Sequence, residues 1–75
     1  MLIFIALRGL HTIPLKVEAN DTIDSVKALI TVEEGTPVIQ QALVFEDNEL
    51  ENEHATLSSY KIYDGACVED LNLNK

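Results

Sequence analysis

The stretch "DTIDSVKALITVEEGTP" (residues 21–37) limits the fold of this chain more than any other. Asp21 or Thr22 can cap a helix there, and Asp24 sits in the first turn, where the helix dipole favours negative charge. Ile23, Val26 and Ile30 recur at helical spacing and, widened by Leu29, make one apolar face. Gly35 suits the left-handed residue that ends a helix, and Pro37 forbids continuation. Glu33 and Glu34 oppose the dipole at the far end, a small cost. A helix with one apolar face must lay it on something, and the rest of the chain reads as strands.

"LIFIAL" (residues 2–7) is a buried-type strand rich in β-formers. "RGLH" follows, with Gly9 able to take the positive φ of a tight hairpin. "TIPLKVE" (residues 12–18) turns Ile13, Leu15 and Val17 inward and Pro14, Lys16 and Glu18 outward. Pro14 cannot donate to a ladder, so it should sit on an edge or face its missing donor away from the neighbouring strand. "QALVFEDNELE" (residues 41–51) predicts a strand, a turn at Asp47-Asn48 and a short return strand. "ATLSSYKIYDGA" (residues 55–66) reads as a loop anchored by Leu57 and Ile62, with Tyr60 packed beneath the turn. "CVEDLNL" (residues 67–73) is the last strand, and it should pair with "LIFIA", which has no other long apolar partner. The expected architecture is α+β: a mixed five-stranded sheet crossed by one helix, in a single domain over residues 1–75.

Charge narrows the partners. Thirteen Asp and Glu stand against five Lys and Arg, a net charge of −8. Such a surface repels phosphate backbones and anionic membranes, so neither nucleic acid nor a membrane is expected as partner. No stretch approaches the length that spans a bilayer. The opening "MLIFIAL" has neither the basic region nor the cleavage site of a secretory signal. The single Cys67 cannot form an internal disulfide, which fits a reducing compartment, the cytosol or nucleus.

Enzymatic readings fail on the same residues. Cys67, beside Val68, is expected to be a packed or half-buried thiol rather than an activated one. His11 and His54 make no metal spacing with each other or with Cys67. There is no phosphate-binding glycine loop and no nucleophile elbow, and the core is too small to enclose a substrate pocket of useful size. No cofactor, metal or catalytic residue is expected.

Read together and in order, the segments resemble the ubiquitin family almost end to end. "MLIFI" and "TIPLKVE" are similar to its first two strands, and "DTIDSVKALI…EEGTP" to its helix and helix stop. "QQALVFEDNELE" is similar to its third and fourth strands, and "TLSSYKI" to its last turn, with one extra residue near Glu53–Ala55. The resemblance implies a β-grasp fold. Its conjugation chemistry is not carried over, because "LNLNK" stands where conjugating members end in Arg-Gly-Gly, and Ala42 replaces an arginine that helps dock the activating enzyme. Ala6, His11, Leu29, Glu33, Asn48 and Asp64 occupy acceptor-lysine positions, leaving Lys27, whose expected role is a helix-face ion pair.

The family is recognised through an apolar patch on the open side of its sheet. The matching positions here are Arg8, Val44 and Leu71, with Glu69 at the border and Leu7 or Leu10 able to supply the missing leucine. A secondary face is Leu2 and Phe4, outward by parity together with Ala6 and beside Thr12 and Pro14. Asp70 falls where the family has a core leucine. A lone buried carboxylate costs several kcal/mol against a whole stability of about 5–15, which argues for a bulge after Val68 that turns Leu71 in and Asp70 out. The unshifted register keeps Leu71 on the patch, and it is the one preferred here by a small margin.

The resemblance thus implies a monomeric, non-covalent interaction module read through its sheet face by proteasome subunits, segregases or ubiquitin-binding domains. Two alternatives stand beside it. One is a covalent modifier whose diglycine lies beyond residue 75, and the other is an engineered or drifted ubiquitin fold that binds no receptor.

Overall fold

The computed structural model describes residues 1–7 and 11–71. Five strands and one helix follow in the order β1 (Leu2–Leu7), β2 (Thr12–Lys16), α1 (Ile23–Glu34), β3 (Leu43–Phe45), β4 (Asn48–Glu49) and β5 (Cys67–Asp70). Two single 3-10 turns, Val38–Gln40 and Ser58–Tyr60, bridge between them. The strands form one sheet in the order β2-β1-β5-β3-β4. β1 runs antiparallel to β2 and parallel to β5, and β3 runs antiparallel to both β5 and β4. The mixed sheet, the pairing of last strand with first, and Pro14 on an edge strand all follow the sequence. Gly9 in the expected hairpin turn and residues 72–73 of the expected last strand lie outside the described residues.

Local chemistry explains the helix limits. Thr22 is the cap, accepting a hydrogen bond from the Ser25 amide at 3.2 Å, while the Asp21 carboxylate turns back to the Glu18 amide at 2.8 Å. Gly35 ends the helix at φ +80°, and its amide donates to the Thr31 carbonyl. The buried Gln41 side-chain amide lies 3.0–3.1 Å from the Lys27 and Thr36 carbonyls and the Thr31 hydroxyl, so it ties the segment after the helix back to the helix.

The apolar stripe Ile23, Val26 and Ile30 is buried in one cluster with Ile3, Ile5, Leu43 and Val68. That burial is the main drive to fold, at about 25 cal/mol per Å² of apolar surface removed from water. Leu57 and Ile62 join the cluster as anchors, and Tyr60 packs against it while its hydroxyl accepts from the Asn52 amide at 3.1 Å. Lys27 buries its stem at the edge of the core, and its Nζ reaches the Glu53 carboxylate at 3.2 Å.

Two expectations need correction. The turn after β3 is centred on Glu46 and Asp47, not Asp47-Asn48, because Phe45 pairs with Asn48 and Val44 with Glu49. Both turn residues are left-handed, with φ of 50° and 68°. The twist of a two-residue hairpin demands that conformation, and the sequence meets it without glycine.

The second correction concerns the energetic argument for a bulge at Asp70, while the unshifted register preferred from the sequence holds. β5 runs unshifted: Leu43 stands opposite Asp70, and the Leu71 amide donates to the Ala42 carbonyl at 2.8 Å. Asp70 is 1% exposed, and neither carboxylate oxygen has a hydrogen-bond partner. The burial cost therefore did not force a bulge. β5 is an interior strand, so a bulge would break ladders on both sides at once. The carboxyl also escapes the full cost of a buried charge. Burial raises its pKa above the ordinary 3.8, opposed more weakly by the Ala42 backbone and the Lys27 ammonium.

The turn yields a direct check. Replacing Glu46 by Asn and Asp47 by Gly should stabilise the domain by ~1 kcal/mol, because both new residues tolerate positive φ. A higher urea midpoint with an unchanged slope is the expected result, and a lower midpoint would show that the turn is built differently.

Candidate functional site

The helix covers one face of the sheet, and strand alternation decides what the other presents. Leu2, Phe4 and Ala6 of β1 point to the open face, while Ile3, Ile5 and Leu7 point into the core. The registers then assemble a row across all five strands: Thr12, Ala6, Glu69, Val44 and Glu49. A shorter row beside it holds Pro14, Phe4 and Cys67, and Leu2 stands opposite Lys16 beyond that. Directly opposite side chains in such rows are roughly 5 Å apart at Cβ, so each touches its neighbours.

Val44 is half-buried at the middle of β3 and is flanked by two carboxylates, Glu69 on β5 and Glu49 on β4. Glu69 therefore lies inside the row, between Ala6 and Val44, instead of bordering it. Leu71 continues the outward parity of β5 past Glu69, and it is 38% exposed. It sits diagonally from Val44, a distance that long apolar side chains can span. The structure thus brings Val44, Leu71 and Glu69 together on one surface. Arg8 and Leu10 lie outside the described residues. Leu7 is buried in the core and does not contribute to this surface. Ala42 is buried as well.

Leu2 and Phe4 form a separate apolar strip with Pro14, joined to the Val44 side only through the small Ala6 and Cys67. Cys67 is exposed, which corrects the expectation of a packed or half-buried thiol. Its inward neighbours are Ala66 and Val68, and strand parity turns the thiol out opposite Phe4. Among the described residues, no group of three or more His, Cys, Asp and Glu side chains is placed to hold a metal ion.

Sequence reasoning missed Glu49 as a neighbour of Val44. A turn placed one residue late pairs Val44 with Glu51, so the error in the turn moved the wrong carboxylate beside the patch. It also missed the most exposed apolar side chains, Val32 on the helix at 79% and Ile39 in the 3-10 turn at 87%. Val32 stands outside the Ile23–Val26–Ile30 stripe, a signal available from spacing alone. Ile39 follows the helix stop, where no periodicity applies.

The sequence matches the ubiquitin family model over residues 3–71. It is also 38% identical over 52 residues to a protein of Arabidopsis thaliana named DNA-DAMAGE INDUCIBLE 1. That match takes in 69% of this chain but 13% of the relative, so the chain spans only a small part of the relative's length. The β-grasp arrangement of one helix on a five-stranded mixed sheet accords with the match, and the chain belongs to the ubiquitin family.

Proposed function

We propose that this domain is a non-covalent docking module, held through the open face of its sheet by proteins that read ubiquitin folds. Proteasome subunits and ubiquitin-binding domains are the receptor classes, in the cytosol or nucleus. The observation that supports this most directly is the placing of Val44 at the centre of the uncovered face with Leu71 exposed diagonally from it. Apolar side chains grouped on an open face are what an interface core uses. The small share of the longer relative that matches fits a domain that brings a larger protein to a receptor.

The flanking charges narrow the receptor chemistry. Val44 can enter an apolar pocket only if the rim of that pocket meets Glu69 and Glu49. Burying those carboxylates against an apolar or acidic rim is costly, whereas a basic rim pairs with them and speeds encounter. The expected receptor therefore offers an apolar slot between Lys or Arg side chains.

Two measurements test this with purified ubiquitin receptors. Val44→Asp should weaken binding by ~2 kcal/mol or more while the thermal melt stays cooperative, as for a central contact. Val44→Ser, which adds no charge between the two glutamates, should also lose affinity. Unchanged affinity in both variants would move the contact to Leu2 and Phe4. Replacing Glu49 and Glu69 by Gln should slow association and flatten its salt dependence, since exposed charges act over about 8 Å at physiological ionic strength. A faster association in that variant would exclude a basic receptor rim.

A further inference from the structure

One group on the inner face of the sheet serves neither the packing of the core nor the open face. Asp70 lies in a cross-strand row between Leu7 of β1 and Leu43 of β3, with both carboxylate oxygens buried and unpartnered. No titratable side chain faces it from either strand within that row. From α1, the Lys27 ammonium acts on it through space, but that ammonium is engaged by Glu53 at 3.2 Å. Its neighbours along β5, Glu69 and Leu71, point to the opposite face.

A protonated carboxyl can stay in such a row. An ionised one needs water or a partner; its row neighbours are apolar, and the Ala42 backbone and the Lys27 ammonium offset burial only in part. The nearest route to water is local. Asp70 is the last residue of β5, and beyond it the ladder to β3 is continued by the Leu71 amide bond to the Ala42 carbonyl. Among the described residues, opening this end gives up the pairings of Asp70 with Leu7 and Leu43 and the Leu71–Ala42 bond, fewer contacts than unfolding the domain gives up.

We propose that Asp70 is a pH-set latch on the end of β5. With the proton on its carboxyl, the strand end stays seated between β1 and β3. When that proton passes to water, the end peels away and carries Glu69 and Leu71 out of the open face. The peeled end releases the carboxylate to solvent, where it has its ordinary pKa of 3.8, whereas burial raises that of the seated end. The seated end therefore binds the proton more tightly. Seating is strongest below the ordinary value, weakens as pH rises from there to the raised value, and stays at its weakest above it. The effect on receptor binding rests on the open-face reading, but the latch itself does not.

The test is amide hydrogen exchange by NMR on the free domain, wild type and Asp70→Asn. Protection factors, already corrected for intrinsic exchange, would be followed from roughly pH 4 to 8, the span over which a raised carboxyl can titrate. The Leu71 amide reports the latch, and the Phe4 amide, bonded to the Ala66 carbonyl at 2.9 Å, reports the other end of β5. Wild-type Leu71 protection should fall about tenfold per pH unit between the ordinary and raised pKa, with Phe4 flat. Asp70→Asn should make both flat. Flat Leu71 protection in the wild type, an equal fall at Phe4, or the same fall in Asp70→Asn would each overturn the latch. The wild-type Asp70 carboxyl carbon, titrated in the same samples, covers the case in which the variant does not fold. A value at or below 3.8 there would overturn the proposal on its own. None of these readouts involves a receptor, so loss of the open-face reading would leave them standing.

Discussion

What the sheet offers to a partner depends on the register of β5 between β1 and β3. This strand has neighbours on both sides, so hydrogen bonding holds it along its length and its alternation cannot drift. Val68 must point in to complete the cluster formed by Ile3, Ile5 and the helix stripe. Once Val68 is in, Glu69 and Leu71 are out and Asp70 is in. A one-residue slip would expose Val68 and bury Glu69, exchanging one buried carboxylate for another and losing a core valine. The carboxyl in the core is the consequence of a strand whose two ladders outweigh one unfavourable side chain.

The same register decides the character of the open face. Val44 meets Glu69 on one side and Glu49 on the other, which interrupts the apolar surface with charge along the strand-crossing direction. Leu71 restores apolar area only diagonally. The result is a narrow apolar centre with carboxylates built into it, and not a broad greasy patch with a polar margin. Such a surface favours selectivity over raw affinity, because a partner without matching basic groups must desolvate both carboxylates for nothing in return.

Other strains lie away from that centre. Glu46 and Asp47 take left-handed conformations that glycine or asparagine would hold at lower cost. Lys61 does the same at φ 62° as it closes the Ser58–Tyr60 turn. Thr22 and Gly35 offset part of this by satisfying backbone groups at the two helix ends. In a domain of this size, such local terms are a sizeable fraction of the whole margin of stability, roughly 5–15 kcal/mol.

The sequence by itself determined the helix and its stop and narrowed the cap to Asp21 or Thr22, because those depend on contacts within a few residues. It also pointed to the hairpin partners and to the pairing of the last strand with the first, since the first strand had no other long apolar partner. Leu2 and Phe4 could be named as outward residues by parity, and Val44 by the family resemblance. Tertiary structure decided the rest. Whether Asp70 or Leu71 faced the core turned on two ladders formed with strands distant in the chain, a balance that residue identities do not contain. Which glutamate flanks Val44 turned on a one-residue choice of turn, where Glu46-Asp47 and Asp47-Asn48 have similar local propensity. Cross-strand pairing settles that choice only when β3 is already fixed against β5.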